Sequence, residues 1–182
     1  MTVFIKRDTA PSSTDPYWIK TTKGGYNRCI AINKDTGSVL PNCTGYAWGR
    51  FMECQGVTTC ALSRANAEQW YTHTVDGYQR GQTPKLGAVI CWSSTKSGGH
   101  VAIVEEIYED DSILTSNSAY GWKRFYMKTL KPPLFRMGKA YTFQGFIYNP
   151  TEFTPTPTPT PDKKKRKRFP FVLYANKLRH KY

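Results

Sequence analysis

Apolar and polar residues divide this chain into a helical part followed by a strand-forming part. Residues 42–54 begin at Asn42 and residues 64–71 follow Ser63, so each stretch starts with a residue that favours helix N-caps. From residue 86 onward, short apolar runs alternate with polar turns, which predicts strands. The predicted strands are 86–92, 100–107, 112–117, 124–130 and 142–148. Helices followed by an antiparallel series of strands predict an α+β fold.

The remaining segments predict turns, loops and a change of character after Pro150. Residues 1–20 are irregular, 26–32 have strand character, 33–37 form a turn and 73–85 form a loop. Residues 154–161 are four Thr-Pro repeats, which favour extended polyproline II and cannot build a core. We therefore predict a domain at residues 1–150, a Thr-Pro linker at 151–162 and a basic, aromatic-containing, flexible tail at 163–182.

Charge and cysteine content narrow the class of protein. The formal net charge is +13, and residues 162–182 carry nine Lys or Arg against one Asp, so most of the basicity belongs to the tail. Five cysteines exclude a fully paired disulfide framework and favour reduced thiols. Cys54 and Cys60 are close enough in sequence to bridge or to share a metal, but no second pair completes a zinc site. The N-terminus has no secretory signal pattern, and no apolar run predicts a membrane span.

Three residues have the chemistry of a cysteine hydrolase. Cys43 follows the predicted N-cap Asn42, so the helix dipole favours its thiolate form. His100 follows Gly98-Gly99 at the start of a predicted strand, and Asn117 ends the next strand. If Asn117 lies opposite Ala102, its side chain shares a face with His100. Each residue alone also fits a purely structural role, as a half-buried thiol, a packed histidine or a turn residue.

Together, the order Cys43, His100, Asn117 is that of papain-like enzymes. In this scheme His100 accepts the thiol proton, Cys43 attacks a carbonyl carbon, and Asn117 orients the imidazole. The backbone N–H of Cys43 is an oxyanion donor. This chemistry needs no metal and no cofactor.

The motifs around these residues resemble the CHAP domain, the cysteine, histidine-dependent amidohydrolase/peptidase. The similar segments are Asn42-Cys-Thr-Gly-Tyr-Ala47, Gly99-His-Val-Ala-Ile-Val104 and Leu114-Thr-Ser-Asn117, and the nearest likeness is to bacteriophage endolysins of Gram-positive hosts. The resemblance implies a papain-like CHAP fold, with N-terminal helices packed on an antiparallel sheet. It also implies cleavage of a peptidoglycan amide, either N-acetylmuramoyl-L-alanine or a stem or cross-bridge peptide bond, with Cys43 as nucleophile and His100 as base.

The sequence departs from the family pattern at two places. Many CHAP domains have Glu two residues before the Asn of the third motif, where this chain has Thr115, so we expect neutral Asn117 to orient the imidazole. Some CHAP endolysins bind calcium through acidic residues just before the cysteine. Here Asn33 and Asp35 are the only similar groups, and their spacing does not match, so no metal site is expected.

Further expectations concern binding and location. The candidate glycan-binding aromatics are Trp70, Trp92, Tyr120 and Trp122, each of which is also a candidate core residue. The tail is expected to hold a monomeric enzyme on anionic wall polymers or a membrane surface, and no specific nucleic acid is expected. The protein would be made in a host cytoplasm and act at the cell wall after release. The rival functions are a non-catalytic wall-binding module, a cationic membrane-active antibacterial protein, and a cysteine protease acting on proteins.

Overall fold

A six-stranded antiparallel sheet with an α-helix packed against one face forms the centre of the computed structural model. The structure describes residues 2–12, 15–17, 42–119 and 125–155. Within these residues lie helix α1 (Cys43–Gln55), 3-10 turns at Ala67–Gln69 and Thr74–Asp76, and strands β1 (Thr2–Val3), β2 (Arg80–Gly81), β3 (Val89–Ser94), β4 (His100–Ile107), β5 (Ile113–Ser118), β6 (Phe125–Leu130), β7 (Tyr141–Ile147) and β8 (Phe153–Thr154). The predicted α+β architecture is confirmed.

The sheet separates two apolar cores. Its strand order is β2-β7-β3-β4-β5-β6, and α1 packs on β4 and β5. One core lies between the helix and the sheet and includes Tyr46, Phe51 and Trp70. The other lies on the opposite face, where Phe135 from the β6–β7 connection packs over Trp92 and Phe146. No helix in the described part of the chain is long and apolar enough to cross a membrane.

Helix α1 begins and ends as its sequence predicts. The Asn42 side chain accepts the Gly45 N–H at 2.8 Å, which confirms Asn42 as the N-cap and Cys43 as the first helical residue. Gly56 ends the helix at a φ of 70°, in the left-handed region that glycine tolerates best. The N-cap therefore places the Cys43 side chain at the positive end of the helix dipole.

The predicted second helix at residues 64–71 is wrong, because side chains and a distant loop take the backbone groups that it would need. The Ser63 hydroxyl accepts the Ala65 N–H at 3.1 Å, and the Trp70 indole donates to the Ala65 carbonyl at 3.1 Å. The Glu68 N–H donates to the Gly98 carbonyl at 2.9 Å rather than along a helix. Only the 3-10 turn Ala67–Gln69 remains of the predicted helix.

All five predicted strands of the second part are present, with shifts at their ends. The strand predicted at 86–92 begins at Val89, because Gly87 is in the left-handed region and starts a turn. The predicted loop at 73–85 also contains the second 3-10 turn and the short strand β2. The predictions for 26–32 and 33–37 lie outside the described residues, as do residues 156–182. Phe153 and Thr154, placed in the predicted linker, pair with Thr2 and Val3.

A buried network of charged and hydroxyl groups holds α1 against β4 and β5. The Arg50 guanidinium donates to both carboxylate oxygens of Glu105, at 2.9 Å and 2.8 Å. Ser116 donates to Glu105 at 2.6 Å, and Tyr46 donates to Ser116 at 2.8 Å. The backbone N–H of Arg7 also donates to Glu105, at 2.9 Å, so the N-terminal segment joins the same network. Because α1 carries Cys43 while β4 and β5 carry His100 and Asn117, this network sets their relative position.

Candidate active site

Cys43 lies half-buried at the N-terminus of α1, beside His100. Burial raises the pKa of the Cys43 thiol, but the charge and hydrogen bond of His100 lower it, as do hydrogen bonds from the backbone at Val101 and Thr44. The net result is a pKa below that of an ordinary thiol. The geometry therefore favours the thiolate, which is the nucleophilic form of cysteine.

His100 occupies the first position of β4, between the rings of Trp92 and Tyr141. The centroid of the His100 ring lies 5.7 Å from that of the Trp92 ring and 6.3 Å from that of the Tyr141 ring. Burial lowers the pKa of His100, whereas the Cys43 thiolate and the hydrogen bonds to Cys43 and Asn117 raise it, so that the net pKa lies above its usual value. A raised His100 pKa beside a lowered Cys43 pKa favours a thiolate–imidazolium pair.

Asn117 fixes the protonation pattern of the His100 ring. Its Oδ1 lies 3.0 Å from His100 Nε2, while its Nδ2 donates to the Thr115 carbonyl at 3.1 Å and to Thr115 Oγ1 at 3.0 Å. Because Oδ1 can only accept, Nε2 carries the hydrogen, which leaves Nδ1 to exchange a proton with Cys43. The Thr115 hydroxyl donates onward to the Lys128 carbonyl at 2.9 Å. Thr115 therefore orients the Asn117 amide, which in turn sets the histidine tautomer.

Strand register brings His100 and Asn117 together. Ile103 pairs with Ser116 in the β4–β5 ladder, and continuing this register places Asn117 opposite Ala102, the pairing that a shared face requires. Side chains at His100 and Asn117 then lie on that face, one diagonal step apart. Cys43, His100 and Asn117 thus meet in space, while their catalytic roles stay predictions.

These residues open into a cleft of about 460 Å³. One wall comes from the 3-10 turn at Ala67–Gln69 and the β3–β4 turn, and the other comes from β6, the β6–β7 connection and the start of β7. The lining residues are Asn42, Cys43, Thr44, Asn66, Ala67, Ser97, Gly98, Gly99, His100, Ala119, Tyr126, Met137 and Tyr141. The cleft is large enough for a short peptide segment to reach the Cys43–His100 pair.

Two of the four predicted substrate-binding aromatics are core residues. Trp70 is 1% exposed and Trp92 is 0% exposed. The Trp70 indole donates to the Ala65 carbonyl, and the Trp92 indole donates to the Phe135 carbonyl at 2.8 Å. Neither ring can form a wall of the cleft, because each is buried in one of the two apolar cores. Tyr120 and Trp122 lie outside the described residues.

Among the described residues, Tyr126 and Tyr141 are the tyrosines that line the cleft, and neither is among the aromatics predicted from the sequence. Tyr126 pairs directly with Asn117 in the β5–β6 ladder. Tyr141 pairs with Ser94 at the end of β3 that leads into the turn before His100. Both tyrosines could have been found from the sequence. Each predicted strand would be paired with its neighbour, and the residues opposite the site would then be listed.

The other thiols of the described residues differ from Cys43. Cys54, Cys60 and Cys91 are free, so the pairing of Cys54 with Cys60 that their spacing left open is not formed as a disulfide. Burial raises the pKa of Cys54 to about 12 and that of Cys60 to about 11, and it raises the pKa of Cys91 further. Across the described ranges no cluster of three or more His, Cys, Asp or Glu could hold a metal ion, and Asn33 and Asp35 lie outside those ranges.

Part of this chain is similar to known proteins. Residues 33–119 match the model of the CHAP domain family. The chain is 29% identical over 107 residues to the probable autolysin SsaALP of Staphylococcus aureus (strain NCTC 8325 / PS 47), an alignment that covers 58% of this chain and 39% of that protein. A crystal structure of N-acetylmuramoyl-L-alanine amidase from Staphylococcus aureus matches 70% of this chain and 37% of its own, with 22% identity and a TM-score of 0.43. The aligned region thus spans about two fifths of the curated relative.

Proposed function

The chain carries a CHAP domain at residues 33–119, and from this premise we propose that it is a peptidoglycan hydrolase that cleaves an amide bond through Cys43. The observation that carries the proposal is the joint arrangement of a thiol with a lowered pKa, an imidazole with a raised pKa and an amide that holds the imidazole. The autolysin named above is a similar protein, and its name supports the same class of substrate.

In the proposed reaction, the Cys43 thiolate attacks the carbonyl carbon of the scissile amide. The N–H of Cys43 is among the first helical N–H groups, which have no intrahelical acceptor, so it can stabilise the oxyanion. Protonated His100 gives its proton from Nδ1 to the leaving amine, while Asn117 keeps Nε2 protonated. Water then hydrolyses the acyl-enzyme, with His100 now accepting the proton of the attacking water; the acid product leaves, and the Cys43 thiolate beside protonated His100 is restored.

The finer identity that we propose is a phage-type endolysin whose cationic tail attaches it to anionic surfaces. The composition of residues 163–182 supports this part of the proposal, since a run of six Lys and Arg residues at 163–168 is followed by aromatic and aliphatic ones. We further propose that the protein acts at the bacterial wall as a monomer after release from a host cytoplasm. The scissile bond is either the N-acetylmuramoyl-L-alanine amide or a stem or cross-bridge peptide bond.

The decisive experiment compares lysis of purified Gram-positive cell walls by the wild type, Cys43→Ala and Cys60→Ser. We expect Cys43→Ala to abolish lysis and Cys60→Ser to retain it, because Cys60 is a half-buried thiol with a pKa raised to about 11. Mass spectrometry of the released fragments then identifies the cleaved bond.

The same variants separate the rival functions when wall binding, killing of cells and cleavage of casein are measured as well. Retained wall binding without any Cys43-dependent lysis in the wild type would favour a binding module. Undiminished killing of cells by folded Cys43→Ala would favour a membrane-active protein. Cleavage of casein but not of walls would favour a protease acting on proteins.

A further inference from the structure

Acidic and basic residues are segregated along the strands that build the cleft. Residues 77–104 and 112–151 contain nine Lys or Arg and no Asp or Glu. Between these stretches, residues 105–111 contain five acidic residues. The two acid-free stretches include β2, β3, β5, β6 and β7, together with the first five residues of β4. The acidic residues are therefore concentrated where β4 ends, not where it begins at His100.

Distance separates these acidic residues from the cleft. From His100 to Glu106, β4 extends about 20 Å at roughly 3.3 Å per residue. Glu53 lies near the other end of α1 from Cys43, about 15 Å away at 1.5 Å per residue. Both distances exceed the Debye length of about 8 Å at physiological ionic strength, so these carboxylates are largely screened from the cleft. Among the described residues beside the cleft, Glu68 is the one acidic residue, and it is half-buried.

Three exposed cations are close in sequence to residues that line the cleft, and we name Lys96, Arg136 and Lys139 the cationic rim. Lys96 adjoins the lining residue Ser97, Arg136 adjoins Met137, and Lys139 lies two residues before Tyr141. The Thr95 N–H donates to the Ala140 carbonyl at 3.2 Å, which brings the segments that carry Lys96 and Lys139 together. Lys128 Nζ donates to the Met137 carbonyl at 2.6 Å and so holds the Arg136 segment against β6.

The rim cations form no ion pair with an acidic residue in the part of the chain that the structure describes. The ion pairs in those ranges use Lys6, Arg7, Arg50 and Arg80 instead. The charge of the rim is thus not neutralised by a described acidic residue and is available to a ligand in the cleft. A substrate that brings a carboxylate near the scissile amide would meet complementary charge at the rim.

We propose that the cationic rim recognises a free carboxylate of the peptidoglycan stem peptide, so that the enzyme prefers acidic stems over their carboxamide forms. This inference rests on the proposed function, because it assigns the substrate class of the same cleft. Stem carboxylates are covalently attached to the peptide that must approach Cys43, whereas phosphates of a separate wall polymer are not. The rim is therefore better matched to the stem than to such a polymer.

The test uses matched soluble muropeptides that differ only in carrying a carboxylate or a carboxamide at the second stem residue. The rim variant is K96Q/R136Q/K139Q. The control, K6Q/K85Q/K131Q, removes the same charge from exposed lysines away from the cleft. Lys6 pairs with Glu106, Lys85 lies over the Tyr148 ring, and Lys131 is close enough to Asp110 to affect its carboxyl group.

At low ionic strength we expect wild-type kcat/KM to favour the carboxylate substrate by about two- to fivefold, the range expected for exposed charge contacts. The rim variant should lose this preference, the control should keep it, and high salt should remove it from the wild type. Equal wild-type kcat/KM on both substrates, or equal losses in the two variants, would overturn the proposal. The proposal would also be overturned if wild-type kcat/KM were equal on both substrates and a teichoic-type polyphosphate inhibited the wild type but not the rim variant. That result would assign the rim to the polymer.

Failure of the inference about the rim is distinguishable from failure of the proposed function. Cys43-dependent hydrolysis that ignores substrate charge contradicts the inference about the rim and leaves the hydrolase assignment intact. Absence of hydrolysis on walls and on both muropeptides contradicts the proposed function itself.

Discussion

Gly99→Ala should destabilise the protein and misplace His100 at the same time. Gly99 has a φ of 82°, which costs a residue with a Cβ about 1–2 kcal/mol. A Cβ there would also lie 2.5 Å from the Trp92 carbonyl oxygen and 2.6 Å from the Glu68 backbone nitrogen. These are backbone atoms that no side-chain rotation can move away. The 3-10 turn would therefore have to separate from the turn before β4.

The structure sets the size of this effect. Overpacking of a tight contact costs about 1–3 kcal/mol. Losing the hydrogen bond from Glu68 to the Gly98 carbonyl costs about 1 kcal/mol more. Together with the backbone strain, we expect the free energy of unfolding to fall by about 3–6 kcal/mol. That is a large fraction of the stability of a typical domain, about 5–15 kcal/mol.

Urea denaturation measures the loss, and two further glycines provide controls. Gly77 has a φ of 76°, but no atom lies within 4 Å of the position that a Cβ would occupy, so Gly77→Ala should show the strain alone. At Gly98 the nearest atom, Asn66 Cβ, would be 3.4 Å away and the φ is not positive, so Gly98→Ala should change stability little. For an m-value of about 2 kcal/mol per M, Gly99→Ala should lower the urea midpoint by about 1.5–3 M.

Activity provides the second measurement. Displacement of a catalytic group by about 1 Å can cost roughly 100-fold in rate, so folded Gly99→Ala should lose far more lysis than Gly98→Ala. A Gly99→Ala variant as stable as Gly77→Ala, or one with wild-type activity, would refute the reasoning from close packing at this turn.

Four other predictions test the site and its support. Iodoacetamide should alkylate Cys43 faster than Cys60 in the wild type near pH 7, because the pKa of Cys43 is lowered and that of Cys60 is raised to about 11. His100→Ala should remove this difference. Activity should be bell-shaped in pH: it should rise through a pKa below that of an ordinary thiol, as Cys43 ionises, and fall through one above the usual histidine value, as His100 loses its proton. Equal rates of alkylation at Cys43 and Cys60 would contradict the pairing of Cys43 with His100. Thr115→Val should lower kcat several-fold by freeing the Asn117 amide to flip, and Thr115→Ser should restore it, so an equal loss in both variants would exclude an orienting hydroxyl. Glu105→Ala should lower the free energy of unfolding by about 3–5 kcal/mol, because buried Arg50 loses the carboxylate that accepts two of its hydrogen bonds and keeps Glu53 as its remaining ionic partner. Glu106→Ala removes an exposed pair and should cost about 1 kcal/mol or less, so comparable urea midpoints would contradict the buried network.

The parts of the site that depend on local chemistry were predictable from sequence. An Asn side chain that caps a helix start needs only its own next few residues, so Asn42 and Cys43 could be placed without any knowledge of the rest of the fold. Likewise, β4 occupies the residues predicted for it, because a polar turn rich in glycine precedes an unbroken apolar run. The pairing of His100 with Asn117 followed once a strand register was assumed.

Contacts between distant segments decided the rest. The local sequence of residues 64–71 is compatible with a helix. However, the carbonyl of Gly98, some thirty residues away, accepts the Glu68 N–H, and the Trp70 side chain is buried in the core. Nothing in the local sequence separates a core tryptophan from one that faces a cleft, since both are large apolar residues near polar ones. The orientation of the Asn117 amide likewise depends on Thr115 and on the strand that follows it. Sequence alone determined which residues could perform the chemistry, because capping, turn and strand preferences act over a few residues. Tertiary structure alone decided which aromatics line the cleft, because burial and hydrogen bonding are shared among strands far apart in the chain.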